Sequence, residues 1–312
     1  MNRRQLGAGG PVVSAISLGS WRTFERLERS DAVAVMAAAR EAGVTFLDDA
    51  RYDDETGAAP IPTGWSEVVF GEVFRAAGWE RDAVVVANKL WWEFWPRQDA
   101  AVELAGSLER MGFDRIDLIY AERRPEGMAV EDVVREVGGL LAQGRAAHWG
   151  VLNWPTADTT EAVATADRLG VARPVATQLR YSVALRSVVE DPEMARVLTD
   201  AGISVVASAT LAGGLLTGKY GDPAATGRMA GKLGDSRARH VLAGVPAFGE
   251  LAAGLGVAPA ALAIGFALAN PLTGSVLLGA TSPAQIEENV AASALADRLN
   301  SATLDRIRAC FP

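Results

Sequence analysis

Amphipathic stretches that run to a glycine and then into a β-branched apolar run recur along the chain. Six junctions carry the pattern: Gly43 before VTFLDDA, Gly78 before AVVVANKL, Gly112 before IDLIYAE, Gly144 before AAHWGVLN, Gly170 before PVATQLRY and Gly202 before ISVVASATL. A glycine at such a place closes a helix in the left-handed conformation. Apolar runs without clean alternation mark strands covered on both faces. The junctions lie 35, 34, 32, 26 and 32 residues apart, the size of one βαβ step. An opening strand in VVSAISLG and a last one in GSVLLGA bring the count to eight. The pattern predicts an α/β fold, a (β/α)8 TIM barrel occupying residues 1–312 as one domain. The rival is a doubly wound open sheet. Against it, the first strand runs into LGSWRTF, and no GxGxxG turn opens a helix there.

An apolar fraction of 49% over 312 residues is ample for a buried core. The formal charge of −8, with no basic run to offset it, argues against nucleic acid and anionic lipid as partners. One cysteine, Cys310, excludes an internal disulfide framework or a cysteine-rich zinc site and suits a reducing compartment. The opening MNRRQLGAGG leads into no long apolar segment, and the rest of the chain has no membrane-length apolar stretch. The expectation is a cytoplasmic enzyme acting on a small molecule. His148 and His240 fit no metal-ligand spacing, so no metal is expected, and no GxSxG elbow is present. Oligomeric state is not legible.

Three charged residues fall at the ends of successive apolar runs: Asp48, Lys89 and Glu122. The carboxyl ends of barrel strands share one face, where active sites gather. Lysine is rare here, three of 30 basic residues, so its placement at a strand end stands out. The competing reading of an Asp and a Lys at a barrel mouth is a buried ion pair with no chemistry. For Glu122, followed by Arg123 and Arg124, it is a plain pair with a neighbouring arginine. Three connections exceed ordinary turns: residues 51–65, 91–96 (WWEFWP) and 212–235. Trp91, Trp92 and Trp95, with Trp21 from the first loop, are read as an aromatic wall facing substrate, the alternative being packing at the barrel mouth.

Several segments, SLGSWRTF, GVTFLDDA, VVVANKL, GVLNW, LAGGLLTGKY and LLGATSPAQIEENVAA, resemble the aldo-keto reductase superfamily across nearly the whole chain, nearest the subgroup that includes potassium-channel β subunits. The resemblance implies a barrel that binds a nicotinamide cofactor without a Rossmann fold. It implies catalysis by Asp48 and Lys89 together with a tyrosine that Lys89 makes a better acid. The family tyrosine stands five residues after the aspartate, where this chain has Asp53; Tyr52 is one position early. A compensating bulge would still deliver Tyr52, which is taken as the catalytic tyrosine beside Asp48, Lys89 and Glu122. Asp53 is a solvated turn residue, a substrate-side residue or a substitute proton donor. Glu122 occupies the place of the family histidine, as it can in relatives that reduce conjugated carbon–carbon double bonds.

By the same resemblance, Gly19, Ser20 and Trp21 border the cofactor, and Asn153 and Gln178 hold the nicotinamide amide. Leu152 replaces a serine and Ser208 an aromatic that stacks on the ring. Leu211, Gly213, Lys219 and Arg228, within a loop over 211–235, correspond to the pyrophosphate belt. Gly279, Thr281, Gln285, Glu288 and Asn289, within 279–289, correspond to the adenosine end. NADPH is implied, with NADH open. The activity implied is reduction of a carbonyl, imine or conjugated C=C in a small, partly aromatic molecule. A nicotinamide-binding sensor or partner subunit, and a non-redox acid/base enzyme using Glu122 with Asp48 or Asp53, remain alternatives.

Overall fold

In the computed structural model, which describes residues 1–222 and 224–312, eight parallel strands close a barrel. The strands are β3 (Ile16–Gly19), β4 (Phe46–Asp48), β5 (Val85–Leu90), β6 (Ile116–Ala121), β7 (Ala146–Leu152), β8 (Ala176–Arg180), β9 (Ser204–Ser208) and β10 (Thr273–Leu278). Each pairs with the next, and β10 returns to β3 through Val276 opposite Ile16. The fold is the (β/α)8 barrel that the spacing predicts. All six junction glycines have positive φ, between 66° and 80°. There they end α1 (Arg29–Glu41), α2 (Trp65–Ala76), α3 (Ala100–Met111), α4 (Val130–Ala142), α5 (Thr156–Leu169) and α6 (Pro192–Ala201). The remaining helices are α7 (Ser236–Gly254), α8 (Pro259–Ala269), α9 (Pro283–Ala292) and α10 (Ser301–Ala309).

The opening run VVSAISLG is not one strand. Val12–Ser14 (β2) pairs antiparallel with Arg3–Gln5 (β1), and only from Ile16 does the chain enter the barrel. Leu6 and Val13, both fully buried, join Phe46, Ala87, Leu118, Tyr120, Leu152 and Val206 in one interior cluster. The hairpin thus stops the amino-terminal end of the barrel with side chains.

Alternation within the strands decides what reaches the other end. Residues two apart share a face. Phe46, Ala87, Tyr120 and Ala176 line the interior, so Asp48, Lys89, Glu122 and Gln178 are the next inward positions, at the carboxyl mouth. Intervening residues such as Leu47, Val86, Ile119 and Val151 face the helices in the largest core cluster. Fully burying each such aliphatic side chain contributes about 1.5–3 kcal/mol, a rigid backing for the polar residues at the mouth. Among the described residues no single helix is long and apolar enough to cross a membrane.

Candidate active site

At the mouth Lys89 Nζ donates to Asp48 Oδ1, to the Asp49 carbonyl at 3.2 Å and to the Tyr52 hydroxyl at 3.2 Å. Asp48 Oδ2 accepts from Gln178 Nε2 at 2.9 Å. Asp48 and Lys89 are almost wholly buried, a placement that costs several kcal/mol per ion unless both are paired and hydrogen-bonded, as they are here.

Tyr52 reaches Lys89 despite standing one residue early because the loop after β4 is built around it. The Tyr52 carbonyl accepts from Gly64 N at 2.8 Å, Asp53 pairs with Thr63 in an antiparallel bridge, and Ser66 Oγ donates to the Ala50 carbonyl at 2.7 Å. Arg51, buried, bonds Thr63 Oγ1 at 2.8 Å and Glu93 at 2.6 Å. It thereby ties this loop to the tryptophan-rich one and occupies the space beside Tyr52. Asp53, at the usual tyrosine position, is exposed and does not line the cleft around Lys89. The structure brings Tyr52 to Lys89 and leaves Asp53 at the rim, in a small neighbouring cavity with Trp21 and Tyr52.

Burial is the largest influence on Tyr52 and raises its pKa; Lys89 opposes it without prevailing, and the hydroxyl stays neutral far above physiological pH. For Lys89, burial depresses the ammonium, but Asp48 and then Tyr52 outweigh it and hold the lysine charged. The cluster is thus a fixed cation against a neutral hydroxyl donor. Beneath it Tyr120 is fully buried, its ring over Gly150, where a Cβ would come within 3.0 Å of two ring carbons.

Glu122 lines the same cleft as Tyr52, Lys89 and Trp91. Desolvation raises its carboxyl above the ordinary glutamate value, outweighing the Arg123 amide, the Arg123 charge and Lys89. Its backbone is pinned, because the Glu122 carbonyl accepts from both Trp92 Nε1 at 3.2 Å and Trp154 Nε1 at 2.9 Å. No salt bridge joins Glu122 to Arg123 or Arg124 among the described residues; Arg124 pairs with Asp158 at 3.6 Å instead.

That double indole contact changes the reading of the tryptophan loop. Trp92 is 2% exposed and Trp95 packs against the outer core, so neither faces substrate. The backbone at Trp92 is left-handed (φ 61°), which turns consecutive tryptophans to different sides. Trp91 does line the cleft and meets the Tyr52 ring edge-on at 5.9 Å, while Trp21 approaches that ring from 6.2 Å.

Asp49 carries chemistry that sequence reading missed, although the alternation that sends Asp48 inward sends its neighbour outward. It is fully buried, accepts from Ser20 Oγ and leaves Oδ2 without a partner. Burial, then the nearby Glu67, push its carboxyl well above the usual range. The folded state therefore prefers neutral Asp49, and its contribution to stability is present below the unfolded value and lost as pH rises through the folded one. Asp49→Asn is expected to stabilise the protein at about pH 8, on the order of 1–3 kcal/mol, and to flatten thermal stability between about pH 5 and 8. Superimposable melting-temperature profiles for parent and variant would remove this account of Asp49.

A cleft of about 800 Å³ runs from this cluster across the strand ends. It takes in Gly19, Trp21, Asn153, Gln178, Gly213, Arg228 and Gly279 of the positions predicted to meet a cofactor, together with Leu152 and Ser208. Ser20 is buried against Asp49 instead. Leu211 and Lys219 lie outside the cleft lining, as do Thr281, Gln285, Glu288 and Asn289 beyond Gly279. Ser282 caps α9, and Gln285 Oε1 accepts from Thr281 N at 2.8 Å. Arg228 Nη2 donates to the Trp21 carbonyl at 2.9 Å, and the Arg22 and Arg228 guanidiniums sit 4.9 and 4.7 Å from the Trp21 ring centre. Desolvation and then Arg22 and Arg26 depress the Arg228 pKa, with Glu25 and Glu55 opposing; Arg22 and Arg26 are paired with Glu55, and Arg228 has no carboxylate partner within salt-bridge distance among the described residues. A cleft with amide side chains at one end and arginines at the other fits an elongated, anionic dinucleotide, while at glycines 213 and 279 an added Cβ would press on Met229 and Thr23.

The model of the aldo/keto reductase family matches residues 15–311. A probable voltage-gated potassium channel subunit beta of Oryza sativa subsp. japonica is 33% identical over 99% of this chain and 96% of its own length. A protein of the same description in Arabidopsis thaliana is 31% identical over 98% of this chain and 95% of its own. A putative voltage-gated potassium channel subunit beta of Schizosaccharomyces pombe is 29% identical over 97% and 91%.

Proposed function

Because the chain belongs to the aldo/keto reductase family, we propose that it is an NADPH-dependent reductase of a carbonyl, imine or conjugated C=C in a small, partly aromatic molecule. The observation supporting this reading most directly is the Tyr52 hydroxyl 3.2 Å from Lys89 Nζ, a neutral acid beside a fixed cation. Bound NADPH supplies a hydride to the substrate. Tyr52 Oη donates a proton to the heteroatom or carbon that gains negative charge, and the Lys89 ammonium stabilises the phenolate left behind. Asp48 keeps Lys89 charged and, through Gln178 Nε2, fixes an amide beside the reacting centre. Trp21 and Trp91 flank Tyr52 as apolar walls that exclude water.

Asn153 and Gln178 would hold the nicotinamide end, and Arg228 with Arg22 the phosphate-rich end. Titration calorimetry is expected to show one NADPH per chain. Arg228→Ala should weaken NADPH about tenfold or more and NADH much less, since a charge-assisted contact to a phosphate carries that scale of energy. Equal losses for both cofactors place the 2′-phosphate elsewhere. No heat and no thermal shift with either cofactor would end the reductase reading and favour acid/base chemistry by Glu122 and Asp48.

A second reading, cofactor binding in the service of a partner with little turnover, is favoured by one observation. Ser208 lines the cleft where an aromatic is otherwise expected, and the relatives are described as channel subunits. Tight NADPH binding without oxidation on any carbonyl, imine or enone panel would select it.

A further inference from the structure

Beyond Glu122 a second cleft, of about 760 Å³, opens beside the first and shares Glu122, Asn153, Arg180 and Arg237 with it. Its wall is of mixed character. Pro155 and Val188, the latter 47% exposed, supply apolar surface over the buried Leu179 and Met194. Three guanidiniums, from Arg123, Arg180 and Arg237, border the same space.

Strand alternation explains Arg180. Ala176 faces the barrel interior and Gln178 the active-site cluster, so Arg180, two residues further along β8, continues that face at the rim. Arg237 stands in the first turn of α7 and lines both clefts with Arg180. Neither has a carboxylate partner within salt-bridge distance among the described residues, unlike Arg51, Arg110 and Arg124. Desolvation and then the charge of Arg237 depress the Arg180 pKa; the two cations repel each other across the cleft. Arg123 is oriented by its Nε bond to the Asn153 carbonyl. Of the two acids on the wall, Asp191 is committed to capping α6 through Met194 N at 2.9 Å, and the Glu122 carboxyl, raised by desolvation, already faces Arg123 and Lys89. The amino end of the 14-residue α5, at Pro155 and Thr156, borders this cleft with no side-chain cap and adds positive potential. In a chain of net charge −8, this concentration of unpaired positive charge is a local exception.

We infer that this second cleft is a recognition site for an anionic oxyacid group, carboxylate or phosphate, on the substrate, with Arg180 and Arg237 as the clamp and Val188 and Pro155 against the apolar body. The inference rests on the reductase reading for the identity of the reacting end, but the anion site stands on its own geometry. The substrate class is then an aromatic or aliphatic acid whose reducible group lies towards Tyr52 and Glu122. Two guanidiniums converging on one anion give bidentate contacts that an ammonium does not reproduce.

Calorimetry on the full chain, with and without saturating NADPH, tests this with 2-naphthoate, 2-naphthyl phosphate and the uncharged 2-naphthamide. One of the two anions should bind at least about tenfold more tightly than the amide, with affinity falling as salt rises. Which anion wins distinguishes carboxylate from phosphate. Arg180→Met and Arg237→Met should each cost the preferred anion about tenfold and leave the amide unchanged, while Arg180→Lys should recover part of the loss. Equal affinity for anion and amide, no binding of any probe, or anion binding unaffected by either substitution would overturn the site. Weakened NADPH binding in Arg180→Met would also overturn it, assigning the arginines to the cofactor. Anion binding with the expected arginine dependence, in a protein that turns over no carbonyl, imine or enone, would defeat the reductase reading and leave the anion site intact.

Discussion

Tyr52→Phe is expected to lower kcat by about 10²-fold or more with NADPH affinity nearly unchanged, the scale of loss for a general acid removed from a positioned site. The substitution deletes one oxygen from a partly buried ring held between Trp21 and Trp91, so the fold should survive it. Lys89→Met should give a loss of the same order by a different route. There the stability question is real, because Asp48 would keep only its Gln178 contact in a buried place, and breaking a buried ion pair costs about 3–5 kcal/mol. Asp48→Asn combined with Lys89→Met removes the orphaned charge and isolates the catalytic effect. Single-turnover measurements with folded variants decide the matter. Normal turnover in Tyr52→Phe would hand proton donation to Glu122 or water, and normal turnover in Lys89→Met would reduce the lysine to a structural cation.

These expectations depend on a register that the sequence left open between Tyr52 and Asp53. Counting from Asp48 puts Asp53 where the tyrosine should be, because a count assumes a loop of standard length. The contacts that correct it come from residues 63–66, 93 and 103, far along the chain. Gly64 and Ser66 close the loop on Tyr52 and Ala50, and Arg51 reaches Glu93. Glu103 in turn accepts the Trp91 and Trp92 amides at 2.7 and 3.2 Å. Such closure is tertiary information. The tryptophan loop failed for a related reason: composition says four aromatics need burial or a ligand, but only the sign of φ at Trp92 says which of them turns inward.

The barrel was legible because its signals are local and repeat. A glycine in the left-handed region before a doubly covered strand states both the end of one helix and the burial of the next strand, and it does so six times. The amino-terminal hairpin escaped since VVSAISLG has the apolar character of one strand, yet its two halves serve different layers. Asp48, Lys89 and Glu122 were legible for the reason that the strands were. Each ends an apolar run, and the inward positions of parallel strands converge.

On the proposed reductase reading, Glu122 would decide which chemistry the mouth performs. A neutral carboxylic acid donates a stronger hydrogen bond to a developing enolate than a neutral imidazole does to a ketone oxygen, which favours conjugated double bonds or imines over simple ketones. Desolvation keeps the acid form populated above the ordinary glutamate value, and the two indole N–H groups on the Glu122 carbonyl fix where the side chain starts. Activity that needs the acid form is present at low pH and falls as pH rises through the raised value. Glu122→Gln retains the shape but not the acidic proton, so it should lower kcat on enones about 10²-fold and remove that descending limb. Glu122→His should move preference towards simple carbonyls. The measurement is kcat/KM against pH for a matched enone, imine and ketone series in the parent and both variants. If all three proteins share one substrate order and one pH profile, Glu122 is a rim carboxylate without a part in the reaction, and the choice between C=O, C=N and C=C falls back on Tyr52 and the shape of the cleft.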